Sequence, residues 1–304
     1  MRITDNMMVG NMLENLRNNK ENLNKLNQQL SSGKQFNKPS DDPIKVTTSM
    51  GFDTKINNYK QYQKDVNHAK SFLQTTENAL SDSGKVLQRA NELAVYGAND
   101  SLNKEDRKNM AEEIKQLRNE LISIGNSKLG QDYIFSGQAT DTKPLEVNGT
   151  YDPTATTAPD NQYVNYKGDH NRILRKISDD DKMKVNINAD DAFKDNIETL
   201  NNMYEDLKSG ESGEKISSYI TKLQEGMNDN TGLRAEVGAK INRLDLIDNR
   251  IDDDLLNTKK LNSKNEDIDL AKVVTDLKMS ENVYQASLSS AARVIQPSLV
   301  DFLK

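Results

Sequence analysis

The sequence predicts a mainly α protein: a long antiparallel coiled-coil helical bundle with its N- and C-terminal helices paired, plus a small β-rich insert domain. Three observations carry this. First, only 34% of the 304 residues are hydrophobic against 29% charged, tryptophan is absent and mean hydropathy is -0.84. Such a chain is too lean for a thick globular core and suits helices that bury a narrow seam. Second, apolar residues recur seven apart over long stretches in both halves of the chain. Third, that period lapses in the middle of the chain, where Pro144, Pro153 and Pro159 fall.

Taken in order, the first element runs from Val9 to Leu30, with Val9, Leu13, Leu16, Leu23, Leu26 and Leu30 apolar and Val9, Leu16, Leu23 and Leu30 seven apart. A seven-residue repeat keeps one edge of a helix facing a partner, and this stripe is only two positions wide. Gly33 fits a C-terminal cap, and residues 31–42 break the chain. Asp42 followed by Pro43 reads as N-cap and first helical position, because the carboxylate satisfies a free amide and proline needs none there. The longest pattern follows: Phe52, Tyr59, Val66, Leu73, Leu80, Leu87 and Ala94, with Tyr62, Ala69, Thr76, Ser83 and Ala90 as a second row. A helix from about Ile44 to Ala98 would be roughly 80 Å long.

Asn103 before Lys104-Glu105-Asp106 predicts a capped third helix with an inner face of Met110, Ile114, Leu117, Leu121 and Ile124, ending near Gly130. In the insert, Asn148-Gly149 reads as a hairpin turn, and Met183, Val185 and Ile187 alternate with polar residues as a half-buried strand would. Helical spacing resumes at Phe193, Ile197, Leu200, Met203 and Leu207. After a loop at Gly210 and Gly213, a second long helix is expected from about Ile216 to Leu256, its rows interrupted by Asn230, Arg234 and Asp248. A polar interval, Asn262 to Glu266, precedes a terminal helix striped by Leu270, Val274, Leu277, Tyr284, Leu288, Ala291 and Ile295. Proline lacks the amide hydrogen, so that helix is expected to stop at Pro297 and leave a short apolar tail containing Phe302.

The layout divides into residues 1–40 with 265–304 as a terminal helical assembly domain, 41–135 with 190–264 as a long helical rod domain, and 136–189 as a β-rich, outward-facing insert. The two terminal stripes are the expected assembly interface: Val9, Leu13, Leu16, Leu23, Leu30, Leu270, Val274, Leu277, Tyr284, Leu288, Ile295 and Phe302. Each stripe is narrow, and ordering a residue costs about as much as burying one side chain returns. The ends are therefore expected to be loosely structured in the monomer and to fold among neighbouring chains.

Several functions are disfavoured. Net charge is -6 with a pI near 5.2 and no basic cluster interleaved with aromatics, so nucleic acid is not an expected ligand. Cysteine is absent, which removes disulfides, thiolate metal sites and cysteine nucleophiles. No window approaches a membrane span, and the N-terminus lacks the apolar core of a cleaved signal. His68 and His170 fall in different elements, and no nucleophile pairs with either by spacing. The runs Asp179–Asp181 and Asp252–Asp254 lack the alternating ligands of a calcium loop, and Gly33-Lys34 lacks the earlier glycine of a phosphate loop, with Gln28 in its place. Asn99-Asp100-Ser101 and Asn148-Gly149-Thr150 match the glycosylation sequon, a pattern common by chance. No catalytic, cofactor-binding or metal-binding residue is expected, and the chain does not read as an enzyme.

The residues resemble the bacterial flagellin superfamily over nearly the whole chain. Leu30-Ser31-Ser32-Gly33-Lys34 with Asn37 and Asp41-Asp42 is similar to its LSSGxxxN and DD motif. Leu73 to Leu80 and Asn91 to Val95 resemble its N-terminal helical region, and Val237 to Leu244 resembles its LGAxxNRL motif. Gly130-Gln131-Asp132-Tyr133-Ile134-Phe135-Ser136-Gly137 looks like the GxYxFSG signature of the hook-associated junction branch. Pro39 to Pro43, Tyr166, Gly168-Asp169 and the ending Tyr284 to Leu303 point to the same branch. The resemblance implies an extracellular structural role in the bacterial flagellum, with export by the flagellar type III route without a cleaved signal. Identical subunits would form a ring between a proximal hook-associated junction protein and flagellin, with an export chaperone on the C-terminal helix. A flagellin-type filament subunit is the alternative, and an adhesin or wall-degrading enzyme is a more distant one.

Overall fold

A computed structural model of the protein describes residues 5–99, 102–149 and 162–301, with side chains described between residues 7 and 293. Both sequons run onto residues outside that description, at 100, 101 and 150, as does Phe302; of Ile295 only the backbone is described. The chain is mainly α and forms two compact units, Met1–Tyr59 with Asp253–Lys304, and Lys60–Asp252.

The first unit holds α1 (Asp5–Ser32), the start of α2 (Pro43–Gly97), the end of α5 (Gly213–Glu266) and α6 (Leu270–Asp301). Its helix starts follow the local chemistry. Asp42 Oδ1 accepts from the Lys45 amide at 3.0 Å, which caps α2, and Gly33 at φ 73° closes α1 with its amide on the Gln29 carbonyl at 2.8 Å. Two boundaries differ from expectation. The polar interval Asn262–Glu266 is helical, so α5 runs ten residues past Leu256. Its polar side chains are lateral ties rather than breakers: Asn262 donates to Asp53 Oδ1 at 3.1 Å and its Oδ1 lies 2.9 Å from Ser49 Oγ, and Asn265 donates to the Lys45 carbonyl at 2.9 Å. Likewise, α6 does not stop at Pro297 but continues to Asp301. A proline this close to the helix end forfeits one i to i−4 bond, while the turns on either side keep theirs.

The second unit is built on the two long helices. The rows read from the sequence are its core: Val66, Ala69, Leu73, Thr76, Leu80, Ser83, Leu87, Ala90 and Ala94 of α2 are all fully buried. Two of the polar interruptions on α5, Asn230 and Arg234, are satisfied across the seam. Asn230 Nδ2 donates to the Leu80 carbonyl at 3.1 Å, and Arg234 places Nε and Nη2 on Glu77 Oε1 at 3.0 and 2.7 Å. Residue numbers rise along one helix as they fall along the other, so within this unit α2 and α5 are antiparallel.

Helix α3 (Lys104–Gly125) is capped by Asn103, whose side chain accepts from the Asp106 amide. It packs on α4 (Asp195–Ser209), which is entered through a π-helical turn, Asp190–Lys194. Leu117 of the predicted inner face is half-buried; Arg107, Ala111 and Ile122 are buried besides the rest, and so is Arg118, 5% exposed. Its guanidinium lies 4.1 Å from the Tyr163 ring and 5.2 Å from the Tyr204 ring, and Nη1 donates to Asn201 Oδ1 at 2.6 Å. The aromatic faces offset the desolvation of its charge.

Between α3 and α4 lie three two-stranded antiparallel pairs. β1 (Lys128–Leu129) pairs with β2 (Asp132–Tyr133), so α3 ends at Gly125, and Gly130, at φ 67°, turns a hairpin rather than ending a helix. β3 (Leu145–Val147) pairs with β4 (Val164–Tyr166), with Val147 opposite Val164. Asn148-Gly149 is therefore not a two-residue turn, since the paired strand resumes only at Val164; the Asn148 amide bonds the Tyr163 carbonyl at 2.8 Å. β5 (Leu174–Lys176) pairs with β6 (Lys182–Lys184). Met183, Val185 and Ile187 are buried as expected, but so is Asn186, whose side chain ties Ile173 and Asn171 together at 2.8 and 2.9 Å.

The two short motifs, at residues 130–137 and 166–169, meet. Phe135 is fully buried and stacks edge-on against Phe193 at 4.8 Å. Asp169 accepts from the Gln138 and Asn171 amides at 2.8 and 3.0 Å, and these bonds hold its carboxyl below the ordinary range despite partial burial. Tyr166 Oη donates to the Asp169 carbonyl at 2.7 Å, and burial beside the Asp169 charge pushes its pKa up to about 12. Gly137 sits at φ 70°, and a Cβ there would stand 2.1 Å from Asp169 Oδ1, so only glycine fits.

Candidate assembly surface

In the first unit α1 packs along α6. The pair is antiparallel: Asn19 Nδ2 donates to Ser287 Oγ at 3.2 Å, while Lys34 is bridged to Asp267 near the other end. On α6 the buried line is Val273, Leu277 and Ala291, with Tyr284 and Ser287 half-buried. On α1 the half-buried line is Val9, Met12, Leu16, Asn19, Leu23, Leu26 and Leu30. None of the α1 positions is fully buried, so this seam is thin. Asn19 occupies a seam position that an apolar residue would fill more stably; its bond to Ser287 fixes one register in return.

The structure sorts the predicted interface residues into two sets. Val9, Leu16, Leu23, Leu30, Leu277 and Tyr284 face the seam within the chain, whereas Leu13 (57% exposed), Leu270 (61%), Val274 (40%) and Leu288 (45%) do not. At about 100° per residue, Leu270, Val274 and Leu288 fall within about 40° of one another, and Leu13 is displaced from its own seam in the same sense. Because the helices are antiparallel, equal displacements land on one side of the pair. The four residues therefore lie along one edge of the pair, with Glu281 between Val274 and Leu288. Met279 and Val283, also exposed, lie about 115° round the other way and mark the opposite side. Sequence reasoning missed Met12 and Val273 in the seam, and Met279 and Val283 on the second side; each belongs to a row one step off the stripe that was read.

A polar joint closes the inner end of the pair. The Gln35 amide bonds the Glu266 carbonyl at 2.6 Å, and the Ile268 amide bonds the Gly33 carbonyl at 3.0 Å, so both interhelical breaks meet as one short ladder. Lys34 Nζ lies 2.5 Å from Glu266 Oε1, and Ser49 Oγ donates to Glu266 Oε2 at 2.5 Å. The hydrogen bond to Glu266 raises the Lys34 pKa; burial alone would raise that of Glu266, but the bonds from Lys34 and Ser49 and the Lys34 charge bring it below its ordinary value. Asp41 is also depressed, because the Asn37 and Lys38 amides both donate to it at 3.0 Å. The SSGKxxN and DD residues thus build this joint. The signal for it was in the sequence as a motif, but not as a geometry.

Among the described residues no group of three His, Cys, Asp or Glu side chains could hold a metal ion, and no helix is long and apolar enough to cross a membrane. His68 is exposed on α2, and His170 lies 5.2 Å from the Tyr166 ring with Nδ1 3.4 Å from Asn188.

Comparison with known proteins adds an independent line. Residues 3–140 match the family of the bacterial flagellin N-terminal helical region. Flagellar hook-associated protein 3 of Salmonella typhimurium is 26% identical over 302 residues, covering 94% of this chain and 95% of that protein. Flagellin of Bacillus subtilis is also 26% identical, over 305 residues and 97% of each chain. Among solved structures, the flagellar junction protein FlgL from Legionella pneumophila superposes with a TM-score of 0.59 at 15% identity, covering 72% of this chain and 99% of its own; that likeness speaks for the fold alone.

Proposed function

We propose that this chain is a member of the bacterial flagellin superfamily and a junction subunit joining the hook side of the flagellum to the flagellin filament. Its relatives are structural flagellar proteins and not enzymes. The observation that carries the reading is the edge with Leu13, Leu270, Val274 and Leu288, left open on a thin helix pair in a chain of which 94% is matched by hook-associated protein 3.

The occupant of that edge is another copy of the chain. Edge and opposite side are different surfaces, so Leu270 and Leu288 of one subunit meet Met279 and Val283 of the next in a heterologous contact, which closes into a ring or continues as a helix. On one face the ring meets a proximal hook-associated junction protein, and on the other flagellin. Before assembly, an export chaperone covers the same stripe of α6. The subunit leaves the cell by the flagellar type III route without a cleaved signal and works outside it.

The flagellin match at equal identity supports a second reading, a filament subunit. Purified protein mixed with filament seeds separates the two. A junction subunit binds seed ends without lengthening them; long new filaments of this chain alone would establish the flagellin reading instead.

A further inference from the structure

We propose that the β5–β6 hairpin is a clasp that holds α2 and α5 together at the Tyr62 and Arg243 level of the second unit and fixes their register there. A heptad seam does not do this by itself. Its rows repeat every seven residues, so sliding one helix by a heptad returns similar apolar residues to the interface. Features that do not repeat must set the register. At the far end of the seam, a Cβ at Gly97 of α2 would stand 3.0 Å from Met110, 3.3 Å from Ile216 and 3.5 Å from Leu207, so a slide that put another residue there would meet all three side chains.

The hairpin supplies the anchor at the other. Its tip is a preformed turn, with the Ile177 amide on the Asp181 carbonyl at 3.0 Å, and Ile177 and Met183 are buried. The aspartate run there divides between the two helices. Tyr62 Oη of α2 donates to Asp179 Oδ1 at 2.5 Å, and Arg243 Nη2 of α5 contacts Asp181 Oδ2. Lys176 completes the α2 side, 3.7 Å from Asp179 and 5.2 Å from the centre of the Tyr62 ring. Close by, Lys70 and Asp245 pair across the seam at 2.5 Å. The aspartate run is thus a two-pronged contact, one carboxylate per helix. Charge-assisted hydrogen bonds are the stronger kind, and ion pairs at a half-exposed site weaken in salt.

The test is amide hydrogen exchange on the full chain, comparing wild type with Asp179→Asn/Asp181→Asn and with Tyr62→Phe, each in low and high salt. The double variant is expected to speed exchange about tenfold in α2 from Tyr62 to Leu73 and in α5 from Leu244 to Asp252, with Met110 to Leu121 unchanged. Added salt is expected to move wild type towards the variant and to leave the variant where it is. Faster exchange confined to Leu174–Lys184, or none at all, would overturn the proposal. Should the double variant loosen the whole unit, Tyr62→Phe decides, since it removes one hydroxyl: a rise confined to the same two helical segments supports the clasp, and no rise overturns it.

Discussion

Leu288→Asp and Leu277→Asp make the same chemical change on one helix and should fail in opposite ways. Leu277 is 7% exposed in the α1/α6 seam, whereas Leu288 is 45% exposed on the open edge. Fully burying a leucine is worth about 1.5–3 kcal/mol, so Leu288 has about 1 kcal/mol still to gain from a neighbour, a factor of about five per contact. An aspartate at that position adds the cost of desolvating an unpaired charge, several kcal/mol, which is enough to abolish a ring contact repeated in every subunit. Its effect on the isolated chain should stay within about 0.5 kcal/mol, as for other exposed positions. At Leu277 the charge enters a seam that is already thin, so α1 and α6 should separate before assembly is tested. Circular dichroism and hydrogen exchange on the monomer, with co-sedimentation on flagellar ends, read both arms. Wild-type assembly by Leu288→Asp, or loss of α6 helicity in its monomer, would refute the division into seam and edge.

Other consequences follow from the joint and the glycines. Glu266 is depressed in the fold, so its contribution is present above its unfolded value near pH 4.3 and is lost as pH falls through the folded value; Lys34 is raised, so its contribution holds below about pH 10.4 and is lost as pH rises through the folded value. Protection of the Gln35 and Ile268 amides should accordingly form a plateau between those limits, and equal protection at pH 3 would contradict the pairing. Gly137→Ala forces a Cβ to 2.1 Å from Asp169 Oδ1 at a positive φ and should destabilise the second unit by about 2 kcal/mol or more in denaturant melts. Gly238→Ala on α5 meets nothing within 4 Å and should stabilise the chain by up to about 1 kcal/mol; a loss of assembly in that variant would locate a neighbour's close approach.

What the sequence shows well is what repeats. The α2 rows from Val66 to Ala94 and the caps at Asp42 and Asn103 could be read because a helix buries one stripe and its first amides need acceptors. Where polar residues find partners across a seam, composition misleads: Asn262 and Glu266 look like a break, but Ser49, Asp53 and Lys34 hold them in a helix. Arg118 was passed over for Leu117 because its aromatic partners, Tyr163 and Tyr204, lie in distant elements. The clasp was hidden for the same reason, since Tyr62 and Asp179 are 117 residues apart. At the candidate site the stripe on α6 was legible. Its division into a buried line and an open edge was not, because that depends on where α1 lies.

The central claim, a junction subunit between hook and filament, is tested most directly by deleting the gene and following flagellin. Cells that keep their hooks but release flagellin into the medium, with filaments restored by the wild-type chain and not by Leu288→Asp, are the predicted result. Normal filaments in the deletion strain would contradict it.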